Sequence, residues 1–199
     1  IIGVYAGLRP LVANNKSATT TKLSREHTVD RPAAGFVSIA GGKYTTYRVM
    51  GKDVVDRAVI ELRRLTQESV TEKLPLVGAD GYFALEQQKE RIAQESGLDV
   101  ETVTHLLNRH GSLISEILEI IEEQPKLATK LDADLPYIKA EIVYATSHEG
   151  ARSVDDVISR RTRLSFEAVN HGVHLADEVA ALIAPVLGWS AKERKESIA

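Results

Sequence analysis

Residues 36–66 read FVSIAGGKYTTYRVMGKDVVDRAVIELRRLT, and this stretch decides how the first third of the chain is organised. A short apolar and β-branched run, Phe36 to Ala40, ends at Gly41-Gly42. Lys43 and a threonine pair follow. Apolar residues then recur at Tyr47, Met50, Val54, Ala58, Leu62 and Leu65, with Val55 and Val59 alongside, which is the period of a helix. The expected arrangement is strand, Gly-Gly turn, helix. Without a Cβ at either glycine, a flat ligand can approach the backbone closely. The first amides of a helix have no intrahelical partner and form the positive end of its dipole, so they favour negative charge. Lys43 adds a full positive charge at the same point. The same spacing also fits a plain βα turn whose glycines only let a helix pack on a sheet. It contains neither the GxxxxGK[ST] phosphate loop nor the GxGxxG dinucleotide fingerprint.

Composition narrows the classes. The 199 residues are 43% hydrophobic and 27% charged, enough to bury a core in one or two domains. Aromatic residues make up only 5%, which fits a helical core of Leu, Ile, Val and Ala. The net charge of −3 and the lack of a long basic block argue against a nucleic-acid protein. With no cysteine, disulfides, Cys-type zinc sites and thiol chemistry are excluded. No apolar run reaches the roughly 18 residues of a spanning helix. No signal peptide is read in the sequence. The chain opens directly in an apolar run, IIGVYAGLRPLV, and its only methionine is Met50, so it reads as a piece of a larger protein.

Upstream of the central stretch, residues 1–7 read as a strand. Pro10 biases Arg9 toward an extended backbone at its end. Residues 13–22, ANNKSATTTK, read as a loop. Thr28-Val29 begins another strand, and Asp30-Arg31-Pro32 is expected to turn. Downstream, LPLVGADG at 74–81 reads as a linker, after which helix signals dominate. Helices are expected over roughly 81–95 and, capped by Asp99, roughly 100–109. Ser112 is expected to cap the next, which ends before Pro125. Pro136 is placed in the first turn of a helix reaching about 147, and 173–187 is read as another helix. Ser153 with Asp156, and Ser190 with Glu193, have the capping-box spacing. The second half is thus six or seven short-linked helices in a bundle or orthogonal array.

Motifs of independent chemistry are few. The histidines at 105 and 110, and at 171 and 174, form close pairs without an HExxH pattern or a third acidic ligand, so no metal site is expected. Glu119, Glu122 and Glu123 read as a solvated helix face. Arg160-Arg161-Thr162-Arg163 reads as helix C-terminal charge favoured by the dipole, or as arginines that pair with acidic residues at a domain or subunit contact, in preference to anionic lipid.

AGLRPLV at 6–12, SREHTV at 24–29 and SIAGGKYTTYRVMGKDVVD at 38–56 resemble the last part of the flavin domain of the FAD-dependent, quinone-linked glycerol-3-phosphate dehydrogenases. YIKAEIVYATSHEGARSVDDVISRRTRLSFE at 137–167 is similar to that family's C-terminal helical domain, so the resemblance covers essentially the whole chain. Tyr44 stands where leucine is expected in that pattern, and His27 where an aromatic residue or histidine is usual. The resemblance implies a mainly α chain with a small β part. Residues 1–69 would be the end of a truncated FAD-dependent oxidoreductase domain, and 70–199 an α-helical C-terminal domain.

It also implies FAD as cofactor and oxidation of sn-glycerol 3-phosphate to dihydroxyacetone phosphate, with electrons passed to quinone. By carry-over, Arg9, Arg25 and Lys43 bind substrate, and Gly42, Lys43, Tyr44 and Thr45 bind FAD. No catalytic base is assigned, and no metal. The parent enzyme is expected in the cytoplasm, peripherally associated with the cytoplasmic membrane, as a possible homo-oligomer. This piece alone, lacking the GxGxxG segment, is expected to be inactive and without FAD. Two other readings stand beside this one: an oxidase using oxygen on the same scaffold, and a non-catalytic helical interaction module.

Overall fold

The computed structural model describes residue 4, residues 6–8, residue 12, residues 26–62 and residues 66–198. The chain divides at Leu74/Pro75 into two compact units, where the sequence reading placed a boundary at 69/70.

In the first unit, β1 (His27–Ala33) and β2 (Phe36–Gly41) pair antiparallel, with His27 opposite Gly41 and Val29 opposite Ile39. The turn expected at Asp30-Arg31-Pro32 is instead strand. The ladder shifts register between Asp30 and Ala33, and the hairpin turns at Ala34-Gly35. A proline is tolerated there because a two-stranded sheet is all edge, and an irregularity frees the donor that proline lacks. The described residues within 1–7 are not in a strand, and the loop expected at 13–22 lies outside the described residues.

Helix α1 (Tyr47–Glu61) lies along the hairpin. Met50, Val54 and Ala58 are half-buried, while Tyr47, Val55 and Leu62 are exposed, because two strands cover only one face of the helix. Leu65 lies outside the described residues. Two ion pairs fasten β1 to α1: His27 Nε2 to Asp53 Oδ2 at 2.8 Å, and Arg31 Nη2 to Glu61 Oε2 at 2.7 Å. Four residues of strand and eight of helix both span about 12–13 Å, so the two pairs hold the elements in register at both ends.

The second unit is helical: α2 (Tyr82–Glu86), α3 (Lys89–Ser96), α4 (Val100–His110), α5 (Ile114–Glu123), α6 (Lys139–Ser147), α7 (Leu164–Glu167), α8 (Ala176–Leu187) and α9 (Ala191–Glu196). Asp99 caps α4 by accepting from Thr102 N at 2.7 Å. Ser190 and Glu193 form the expected box on α9, at 3.3 and 2.8 Å. Ser153 Oγ accepts from Asp156 N at 3.0 Å, while the Asp156 carboxylate takes the Arg152 amide instead of closing a box; a π-helical turn, Asp156–Arg161, follows.

Four helix expectations are corrected. The helix read at 81–95 is broken into α2 and α3 at Gln87-Gln88. Ser112 lies inside a 3-10 turn, Gly111–Leu113, and its amide donates to Gly78 O at 2.9 Å, so it does not cap α5. Pro136 lies ahead of α6, because Ile138 first forms an extended bridge with Lys130. Residues 169–175 form a 3-10 segment interrupted by three left-handed residues, Asn170, His171 and Gly172, so α8 begins only at Ala176.

α6 is the centre of this unit. Ala140, Glu141, Ile142, Tyr144, Ala145 and Thr146 are all buried, while Lys139 and Val143 are half-buried and Ser147 is exposed, so all but one stripe of the helix sits inside its neighbours. Ile142 and Ala145 pack with Val157, Leu164, Val179 and Ile183; Ala140 and Tyr144 pack with Val103, Leu106 and Ile117. Among the described residues no helix is long and apolar enough to cross a membrane.

Candidate functional site

The Gly-Gly turn follows β2. Gly41 has φ +80 and Gly42 φ +87, left-handed values that a side chain disfavours. Both are closely backed from inside the unit. A Cβ on Gly41 would lie 2.8 Å from Glu26 O, and one on Gly42 would lie 2.5 Å from Met50 Sδ and 3.3 Å from His27 Cβ. The helix does not begin at once. Lys43 is extended, Tyr44–Thr46 form one 3-10 turn, and α1 continues from Tyr47. Thr46 Oγ1 accepts from Lys43 N at 3.3 Å and donates to Lys43 O at 3.0 Å. Of the amides that sequence reasoning offers to a ligand, Lys43's own is therefore engaged locally. Nothing in the spacing distinguished Thr46 from its neighbour Thr45.

Lys43, Tyr44 and Thr45 are exposed and contiguous, and Tyr44 stands 91% exposed, with its ring 6.1 Å from that of Tyr47. Gly42, Lys43, Tyr44 and Thr45 thus share one edge of the unit: backbone donors, an ammonium and a phenol at the mouth of a βα turn. This set fits the edge of a flat, electron-rich ring system. Arg9 and Arg25 lie outside the described residues.

A second polar cluster, which the sequence reading did not assemble, lies inside the helical unit. Glu141 is 3% exposed. Its Oε1 meets His105 Nε2 at 3.0 Å and His110 Nε2 at 3.3 Å, its Oε2 accepts from Ile138 N at 3.0 Å, and Arg109 Nε stands 3.7 Å away. Burial would raise the pKa of Glu141. The hydrogen bonds from His105 and His110, the charge of His105 and the Ile138 amide together outweigh it and hold the carboxyl down at about 2. His110 Nδ1 also faces Glu149 Oε1 at 3.7 Å. Around the cluster, His105 stands edge-on to Tyr137, and His110 edge-on to Tyr144. The Tyr144 hydroxyl donates to Glu116 at 2.6 Å; burial and that carboxylate push its pKa well up.

These groups satisfy one another, and among the described residues no group of three or more His, Asp or Glu side chains is arranged to hold a metal ion. The third acidic partner of His105 and His110 sits more than thirty residues downstream, where no local pattern announces it. His174 pairs with Asp132 at 3.0 Å. In the arginine run, Arg160 pairs with Asp155 and Asp156, and Arg161 Nε donates to Glu149 O at 3.0 Å. Glu119, Glu122 and Glu123 are exposed.

Comparison with known proteins places this architecture. The chain is 50% identical over all 199 residues to "Glycerol-3-phosphate dehydrogenase 2" of Mycobacterium tuberculosis, of which it covers 34%. It is 49% identical to "Glycerol-3-phosphate dehydrogenase" of Mycobacterium leprae, again covering 34%. Against "Glycerol-3-phosphate dehydrogenase, mitochondrial" of Mus musculus it is 34% identical, covering 27%. The chain spans about a third or less of the length of these relatives. The family described as the C-terminal domain of alpha-glycerophosphate oxidase matches residues 69–194, which takes in α2 to α8 and most of α9. The chain is mainly helical with a small β part, and it belongs to the family of the C-terminal domain of alpha-glycerophosphate oxidase.

Proposed function

We propose that this chain is the C-terminal part of an FAD-dependent glycerol-3-phosphate dehydrogenase that oxidises sn-glycerol 3-phosphate to dihydroxyacetone phosphate. The observation that carries this reading is 50% identity over the whole chain to a protein of that name. FAD, held by Gly42, Lys43, Tyr44 and Thr45, would supply a two-electron acceptor for the hydride at C2 of the substrate, and the hydroxyl proton would go to a base for which this chain supplies no assigned residue. Two electrons then pass to quinone, which takes up two protons. The parent works in the cytoplasm, at the cytoplasmic membrane surface, and can assemble as a homo-oligomer.

In this reading the chain supplies charge and position. Arg9 and Arg25 hold the substrate phosphate, because a guanidinium presents a rigid fork of donors to a dianion. Lys43 serves the substrate and the flavin. The backbone from Gly42 through Thr45, with the positive end of the 15-residue α1 behind it, faces the flavin edge on which negative charge collects after reduction. The domain boundary lies near residue 69, with FAD and substrate contacts before it and a helical scaffold after it. The isolated chain binds no FAD and turns over no substrate, since most contacts to a dinucleotide come from a nucleotide-binding segment that these residues do not include.

The test is steady-state kinetics and flavin redox titration on the full-length protein. Arg9→Ala should cost one charge-assisted contact, about 1.5–3 kcal/mol, and lower kcat/KM roughly tenfold to a hundredfold at unchanged FAD content. Arg25→Ala should act in the same sense, more weakly. Lys43→Ala should also shift the flavin potential downward, because removing positive charge disfavours the anionic reduced form. Wild-type kcat/KM in Arg9→Ala and Lys43→Ala would refute the assignment. The name of the matching family favours a second reading, with oxygen as acceptor. Peroxide produced in step with substrate oxidation, without a quinone, would select it.

A further inference from the structure

We propose that His27 and Asp53 are positioning residues for the flavin-facing turn, a pair that braces Gly41-Gly42 from behind; this rests on the reading that the turn meets FAD.

The argument begins with a mechanical problem. Gly42 to Thr45 present their edge to solvent, and Lys43, Tyr44 and Thr45 bury no side chain that could anchor them. Two successive left-handed glycines lead into them, and glycine is the residue with the most backbone freedom to lose. A ligand edge is held well only when the contacting backbone is fixed to about 0.5 Å. Something beneath the turn has to fix it.

His27 is in place to do this. It opens β1 opposite Gly41, and its Cβ is 3.3 Å from where a Gly42 Cβ would lie, so the trunk of its side chain sits directly under the turn. From there the imidazole reaches α1, and Nε2 stands 2.8 Å from Asp53 Oδ2. An ionised carboxylate only accepts, so Nε2 carries the proton and donates. The pair is partly shielded, with side chains 19% and 40% exposed. Met50 Sδ crowds the same position, 2.5 Å from where a Gly42 Cβ would lie. Asp53 lies less than one turn beyond Met50 on α1, so one short piece of helix grips the turn through two contacts. The Arg31–Glu61 pair at the far end of the hairpin prevents the strand from sliding along the helix. Thr46 closes the remaining freedom by binding both backbone groups of Lys43. The His27–Asp53 bond thus ties β1, which is paired to the strand that leads into the turn, to the helix after it, next to the turn itself.

The experiment uses full-length holoenzyme carrying Asp53→Ala, Asp53→Asn, His27→Gln or Lys43→Ala. FAD dissociation, the flavin absorbance spectrum, kcat and KM are measured, with a thermal melt of each variant. Asp53→Ala is expected to raise the FAD dissociation constant about tenfold, the scale of one hydrogen bond to a charged group. It should lower kcat while leaving KM within about twofold, because it loosens the turn without removing Lys43. Asp53→Asn keeps an oxygen that accepts from Nε2 and should restore most of the loss. His27→Gln keeps a donor near the Nε2 position and should likewise restore most of the loss. If Lys43→Ala perturbs flavin and kinetics but Asp53→Ala leaves both as in wild type, the brace is refuted and the flavin reading stands. If Asp53→Ala loses FAD only in proportion to a lowered melting temperature, or Asp53→Asn fails to recover it, the pair is merely structural and the proposal fails. If Lys43→Ala is also silent, the flavin reading fails and the brace with it.

Discussion

Replacing Glu141 by Gln should destabilise the helical unit by about 3 kcal/mol at neutral pH, and the loss should fade in acid. The magnitude follows from two routes. The carboxyl is held down from its ordinary 4.5 to about 2 by its partners, a displacement worth about 3 kcal/mol of preference for the charged form in the folded state. Independently, every near group around Glu141 donates: His105, His110, the Ile138 amide and, further off, Arg109. A glutamine keeps one acceptor and turns an NH₂ group toward a donor, and removing the charge from a buried pair costs about 3–5 kcal/mol. The sign is that of a depressed carboxyl: the stabilisation is complete above 4.5 and is lost as pH falls through 4.5 toward 2.

The assay is urea unfolding of both proteins, from pH 7 to pH 3, followed by the fluorescence of Trp189. This sole tryptophan packs against the core around Ile142 and so reports on the right unit. The difference between the proteins should be steady down to about pH 5 and fall by roughly half or more at pH 3. A difference below about 1 kcal/mol at pH 7 would refute the idea that the cluster is held by the Glu141 charge. So would one that stays constant down to pH 3, since a carboxyl held below its ordinary range must lose that stabilisation as it protonates.

Two further expectations concern packing in the same unit. Gly111→Ala should cost more than about 3 kcal/mol or prevent folding, since a Cβ at its φ of +59 would lie 1.9 Å from Gly78 O, a backbone atom that cannot swing aside; circular dichroism melts decide it, and a loss below about 1 kcal/mol would contradict the close approach. Ile183→Ala removes a fully buried side chain from the core that α8 shares with α6 and should cost about 2–5 kcal/mol in urea titration at unchanged m-value.

The sequence by itself determined what local chemistry determines. Asp99 and Ser190 sit where a short polar side chain meets the free amides of a helix start, and each does so through neighbours three residues away. Glu119, Glu122 and Glu123 are exposed, as the charged face of an amphipathic helix is. The Gly-Gly step after Phe36–Ala40 was legible because glycine is the residue that tolerates left-handed backbone, and the run ahead of it is short, apolar and β-branched as a strand is. The resemblance carried by GGKYTTYR named the family, which no periodicity could supply.

Only the tertiary structure decided the rest. Asp30-Arg31-Pro32 has turn composition, yet Arg31 is drawn into the strand by Glu61 thirty residues on, and a two-stranded sheet leaves Pro32 an edge to occupy. Ser112 has the makings of a cap, but its amide is claimed by Gly78, and the 3-10 turn around Gly111 takes the place of the cap. The histidines at 105 and 110 lacked an acidic partner in sequence and found one on α6, because Glu141 lies on the buried side of that helix and its carboxylate has to be met by donors from across the core. His27 and Asp53 are likewise ordinary surface residues in the sequence; twenty-six positions apart, they meet because strand and helix lie side by side at matched rises. Caps and turns are settled within one or two turns of chain. Charges that must be neutralised away from water are settled by whatever the fold brings beside them.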